Sequence, residues 1–76
     1  GDAGVKHGLP RALAYRLAGQ VICGTGKLHV MTGTHPGAMK DAVCSPGGTT
    51  IRGVSALEQH GFRAAVIDAI DAIEGK

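Results

Sequence analysis

"FRAAVIDAIDAIE", residues 62–74, decides the fold class. Phe62, Ala65, Val66, Ala69, Ile70 and Ile73 recur at i, i+3, i+4, i+7, i+8 and i+11, which is one face of an α-helix. Asp68, Asp71 and Glu74 fall away from that stripe. Ala64 and Ile67 add apolar surface on a second side. A helix that is apolar on two sides needs neighbours on both, and a chain of 76 residues has few elements to supply them.

Toward the N-terminus the same periodicity continues. Ile51, Val54 and Leu57 share a helical face, and Gly61 is placed to end that helix after Glu58, Gln59 and His60. Between Pro10, suited to a first helical turn, and about Val30, Leu13, Ala14, Leu17, Ala18, Val21, Ile22, Thr25 and Leu28 keep helical spacing. Gly19, Gly24 and Gly26 each weaken this longest helix by up to ~1 kcal/mol relative to alanine. Glycines kept inside a helix mark places where another backbone comes close. His35-Pro36 reads as a turn before a short helix, and Gly1 to Gly8 as the tail of a helix whose body lies upstream, with Gly8 near its C-cap. No run alternates apolar and polar residues convincingly. The expected fold is all-α in one domain, with a long helix over about 10–30, a short one over about 36–43, and two more over about 46–60 and 62–74.

Composition narrows the function classes. Aromatics are 3% of the chain, Tyr15 and Phe62 alone, so its apolar content is mostly Ala, Val, Ile and Leu, and small side chains bury little area each. A shared core with a partner subunit is therefore expected. The net charge of +2 comes from scattered Lys and Arg, which argues against nucleic acid. No apolar run reaches the ~18 residues of a membrane span, and the N-terminus has no signal-type stretch, so a soluble, cytoplasmic protein without membrane contact is expected. Cys23 and Cys44 lie 21 positions apart without a CxxC and are read as reduced and structural.

Several motifs fail on spacing. Gly24-Thr25-Gly26-Lys27 matches neither GxxxxGK[ST] nor GxGxxG, and it lies within a helix rather than after a strand. His7, His29, His35 and His60 form no HExxH or i, i+4 pair, so no metal is expected. Ser45 lacks the Gly-x-Ser-x-Gly context of a hydrolase nucleophile.

The run Ser45-Pro46-Gly47-Gly48-Thr49-Thr50 is different, because its parts agree on a helix start. Ser45 is a favoured N-cap, Pro46 fits the first helical position, and Gly47 and Gly48 leave first-turn amides without side chains above them. Such a start carries a partial positive charge that suits a carboxylate or phosphate, and Thr49 and Thr50 add hydroxyls. From these residues alone two readings stand, an ordinary capped helix and an anion cradle.

In its setting the run resembles the signature of the pyrroline-5-carboxylate reductase family. The likeness also takes in Asp2-Ala3-Gly4-Val5-Lys6, Gly8-Leu9-Pro10-Arg11, Gln20, Gly24 with Lys27, His35-Pro36-Gly37, Lys40 through Ile51, Leu57-Glu58 and Gly61 through Ala65. Departures are mild: His7 and His29 stand where apolar residues are expected, and Gly26 stands for alanine. The resemblance implies a helical domain of the 6-phosphogluconate-dehydrogenase C-terminal type, forming a homodimer through interleaved helices, or a higher assembly. It also implies reduction of 1-pyrroline-5-carboxylate to L-proline, with NADPH or NADH bound by an N-terminal Rossmann domain. No strand-GxGxxG-helix unit occurs here, so residues 1–76 are expected to be the dimerisation and substrate-binding domain alone, inactive by itself. By the same resemblance Ser45, Gly47, Gly48, Thr49 and Thr50 bind substrate, and the Thr50 hydroxyl meets the ring nitrogen as the catalytic group. The alternatives are an all-α oligomerisation module without substrate, or the helical domain of another nicotinamide-dependent dehydrogenase.

Overall fold

Every regular element along residues 1–75, which the computed structural model describes, is a helix. In chain order these are α1 (Asp2–Lys6), α2 (Arg11–Thr32), α3 (Pro36–Ala42), α4 (Thr49–Gln59) and α5 (Phe62–Glu74). The chain divides into two compact units, Gly1–Ala38 and a second that begins at Met39.

In the first unit α1 packs on α2. Five residues are too few for a helix to persist alone, so this contact sustains α1. It centres on Ala14, the one buried residue among those described. A Cβ added at Gly4 would lie 3.1 Å from the Ala14 Cβ and 3.3 Å from Leu9 Cδ1, so a glycine is what permits this approach. A polar clasp closes the same corner: the Tyr15 hydroxyl donates to Asp2, and Arg11 reaches Asp2 Oδ1 at 3.3 Å and the Tyr15 hydroxyl at 3.2 Å. All three side chains are exposed, so the Arg11–Asp2 pair contributes at most about 1 kcal/mol. Pro10 stands at the N-cap of α2 rather than in its first turn, one position earlier than its fixed φ and missing N–H predict. The helix ends at Gly33, in the left-handed region with φ 67°, whose N–H donates to His29 O.

In the second unit α4 and α5 pack against each other across Gly61. His60 turns its ring Nδ1 to Ala56 O at 2.8 Å, and Arg63 Nε donates to Glu58 Oε1 at 2.8 Å across the corner. The α5 bounds are those the periodicity predicts, whereas α4 begins at Thr49, three residues later than the expected start at 46.

Among the described residues most large apolar side chains are exposed. Ile73 is 76% exposed, and Val66, Ile67 and Ile70 are each more than half exposed on α5. On α2, Val30 is 80% exposed, with Val21, Ile22 and Met31 close behind, and nothing lies above Gly19, Gly24 or Gly26. Sedimentation at about 10 μM should therefore show a dimer or larger species, and the melting temperature should rise with concentration. A folded monomer with a concentration-independent melting temperature would contradict this.

Candidate functional site

Residues 43–48 connect α3 to α4, which begins at Thr49. The last amides around α3 are closed locally, Val43 N–H on Lys40 O at 3.1 Å and Cys44 N–H on Asp41 O at 3.2 Å. Ser45 then opens a turn rather than a helix. Its carbonyl accepts from Gly48 N–H at 3.0 Å, and Gly47 sits at φ 68°. Proline at the second position of a turn and glycine with positive φ at the third are the type II signature, so helical backbone cannot begin before Gly48.

This corrects the expected role of Ser45 as N-cap. Gly48 holds that position, with φ −77° and ψ 178°, and no side chain caps the helix. A Cβ at Gly48 would press on the Ser45 hydroxyl and lie 3.2 Å from Ser45 O, so the turn closes tightly because residue 48 is bare.

The correction reassigns the free donors. Gly48 N–H is taken by the turn, and the first-turn amides without an intrahelical acceptor belong to Thr49, Thr50 and Ile51. No acidic residue stands in the first turn of α4 to offset the helix dipole. Ser45, Gly47, Thr49 and Thr50 are exposed and Gly48 is half-buried, so the turn and helix start face outward together. The geometry can hold a small anion on backbone N–H groups, with the hydroxyls of the adjoining Thr49 and Thr50 beside it. It has no general base or nucleophile arrangement of its own. The Ile51 amide, absent from the sequence reading, belongs to this set, and the Pro46-Gly47 turn signature was the signal that could have found it.

The histidines lie outside this segment. His29 Nδ1 meets Thr34 O at 2.6 Å, and His35 Nδ1 accepts from Gly37 N–H at 2.9 Å. Both rings thus serve local backbone. Among the described residues no group of three His, Cys, Asp or Glu side chains could hold a metal, and no helix is long and apolar enough to cross a membrane. Cys23 and Cys44 are free thiols, exposed and half-buried respectively.

The family model described as pyrroline-5-carboxylate reductase dimerisation matches residues 1–76. The chain is 59% identical over 69 residues to the pyrroline-5-carboxylate reductase of Escherichia coli, covering 91% of this chain and 26% of that protein. Against the Thermus thermophilus enzyme of the same name it is 55% identical over 71 residues, 93% of this chain and 26% of the relative. Among solved structures, the Streptococcus pyogenes 1-pyrroline-5-carboxylate reductase superposes with a TM-score of 0.90 at 41% identity, over 93% of this chain and 27% of that one. The Plasmodium falciparum pyrroline carboxylate reductase, solved with NADP bound, gives 0.88 at 38% identity over the same shares. The chain thus spans about a quarter of the length of the relatives it matches.

The turn geometry predicts unequal costs of substitution. Nothing lies within 4 Å of a Cβ at Gly47, so Gly47→Ala should lower unfolding stability by ~1–2 kcal/mol through backbone strain alone. Urea unfolding of a synthetic chain with D-alanine at position 47 should show the stability restored. Equal loss with both enantiomers would mean that the positive φ is not the cause.

Proposed function

The chain belongs to the pyrroline-5-carboxylate reductase dimerisation family, and from that membership we propose that it is the dimerising and substrate-holding domain of an enzyme that reduces 1-pyrroline-5-carboxylate to L-proline. The observation that carries this reading is the uncapped start of α4 directly behind the Ser45–Gly48 turn, within a match that runs the length of the chain.

The substrate is a cyclic imine that carries a carboxylate, and the two ends make different demands. The carboxylate lies on the amides of Thr49, Thr50 and Ile51, with the hydroxyls of Ser45 and Thr49 as further donors and Gly47 and Gly48 giving it access. An anion at a helix start gains about 0.3–1 kcal/mol when exposed and up to ~2 kcal/mol when partly buried, which biases the way the ring enters. The Thr50 hydroxyl lies against the ring nitrogen and accepts from the N–H of the protonated imine. This holds the substrate in its electrophilic form.

NADPH or NADH supplies the hydride to the imine carbon when bound. No dinucleotide fingerprint follows a strand here, so these residues do not cradle its pyrophosphate, and a Rossmann domain in the same longer protein holds it. As hydride adds to carbon, the C=N π pair becomes the nitrogen lone pair and the product is a secondary amine. The role of this chain is to orient and anchor, which is sufficient for a reaction without a side-chain nucleophile. The exposed faces of α2 and α5 interleave with those of a second copy, so the substrate site is built on a homodimer, or on a higher assembly of dimers.

In the intact reductase Thr50→Ala should lower kcat/KM by about 10- to 100-fold, and Thr50→Ser should recover most of it. Unchanged kinetics in Thr50→Ala would remove this hydroxyl from the reaction. L-proline added to the ¹⁵N-labelled chain should shift the amides of Thr49, Thr50 and Ile51. Titration without movement of these signals, in a dimer that stays intact, would favour a module that only oligomerises.

A further inference from the structure

Three histidine rings bond to backbone, and their partners demand opposite states of Nδ1. His29 and His60 face the carbonyls of Thr34 and Ala56. A carbonyl only accepts, so both rings carry the proton at Nδ1, and a second proton at Nε2 leaves their bonds intact. His35 is the reverse case, because its Nδ1 accepts from Gly37 N–H and needs a lone pair that imidazolium does not have.

We propose that His35 is a proton-sensitive cap on α3, closed while its ring is neutral and opened when Nδ1 is protonated. Pro36 has no N–H, so Gly37 carries the first amide of α3 that needs an acceptor, and His35 supplies it. A Cβ at residue 37 would lie 3.0 Å from His35 Nδ1 and 3.2 Å from its Cε1. The bare Gly37 is therefore what lets the ring lie against the first turn. Protonation removes the acceptor and also sets a positive charge at a helix N-terminus, which the helix dipole disfavours. Both effects act in the same direction.

The charged and titratable groups on the flanking stretches do not offset them. They are Lys27 and His29 toward the end of α2, and Lys40 and Asp41 on α3, the last two paired at 3.4 Å. Asp41 is the one carboxylate among these, and it already faces Lys40. With seven residues α3 has little intrinsic helicity to spare, so loss of its cap is felt along the element that leads into the Ser45–Gly48 turn.

The test reads the ring and an amide rather than substrate, so it stands or falls separately from the reductase reading. In ¹⁵N-labelled protein taken from about pH 8 to about pH 5, the range in which imidazole switches charge, the Gly37 amide should move with the same midpoint as the His35 ring carbons. Amides of α3 should lose roughly tenfold in exchange protection, relative to their intrinsic rates, while those of α4 hold theirs. His35→Asn keeps a side-chain acceptor two residues before Gly37 but does not titrate, so its α3 protection should persist in acid. A Gly37 amide indifferent to the ring's titration, or an equal acid loss in His35→Asn, would overturn the proposal.

Discussion

The described helices depend on apolar faces that they leave exposed. α5 carries Val66, Ile67, Ile70 and Ile73 on more than one side, and α2 carries Val21, Ile22, Val30 and Met31 over glycines with nothing above them. Among the described residues a single alanine is buried. Folding must offset backbone ordering of about 1–2 kcal/mol per residue, and internal burial this small cannot do it. The favourable area has to come from another surface, and glycines at 19, 24 and 26 are tolerable in α2 only if close backbone approach from outside compensates their helix penalty. Membership of a dimerisation family supplies the physical reason for apolar faces left so exposed.

The candidate site makes a different use of exposed groups. The chain closes helix C-termini with local bonds, as at Gly33, His60 and Gly75, while no side chain caps the starts of α1, α2 or α5. At α4 the turn consumes the Gly48 amide and leaves the next three without a side-chain cap. Donors left free in this way are stabilised by water or by an anion, and an anion is favoured by the dipole behind them. Chemistry that needs only an oriented imine and an anchored carboxylate can be served by backbone and three hydroxyls.

Much of this was legible in the residues. The α5 bounds followed from its stripe, because a thirteen-residue run without proline or glycine leaves little competition for the helix period. The break at residues 33–35 and the closing role of Gly61 were equally plain, since glycine and proline punctuate locally. The start of α4 was less so. Ser45-Pro46 satisfies the rules for an N-cap and a first turn, yet Pro46-Gly47 satisfies those for a type II turn, and the positive φ at Gly47 decides between them. Both an ordinary capped helix and an anion cradle were open readings at this end of α4, and which amides are free depends on that one dihedral. The ring bonds of His29, His35 and His60 left no trace in spacing, because each links a side chain to backbone two to five residues away.

The packed helix pairs described here, α1 on α2 and α4 on α5, are each adjacent in the chain. Contacts between neighbours close short loops, so they form early and fast, on the microsecond scale of local helical structure. Association with a second copy comes afterward and depends on collision. The order has a cost during synthesis or refolding: helices complete before their apolar faces meet a partner, and the interval between the two events lengthens as the chain becomes dilute. A protein built this way is most exposed to misassembly at the stage when its secondary structure is already finished.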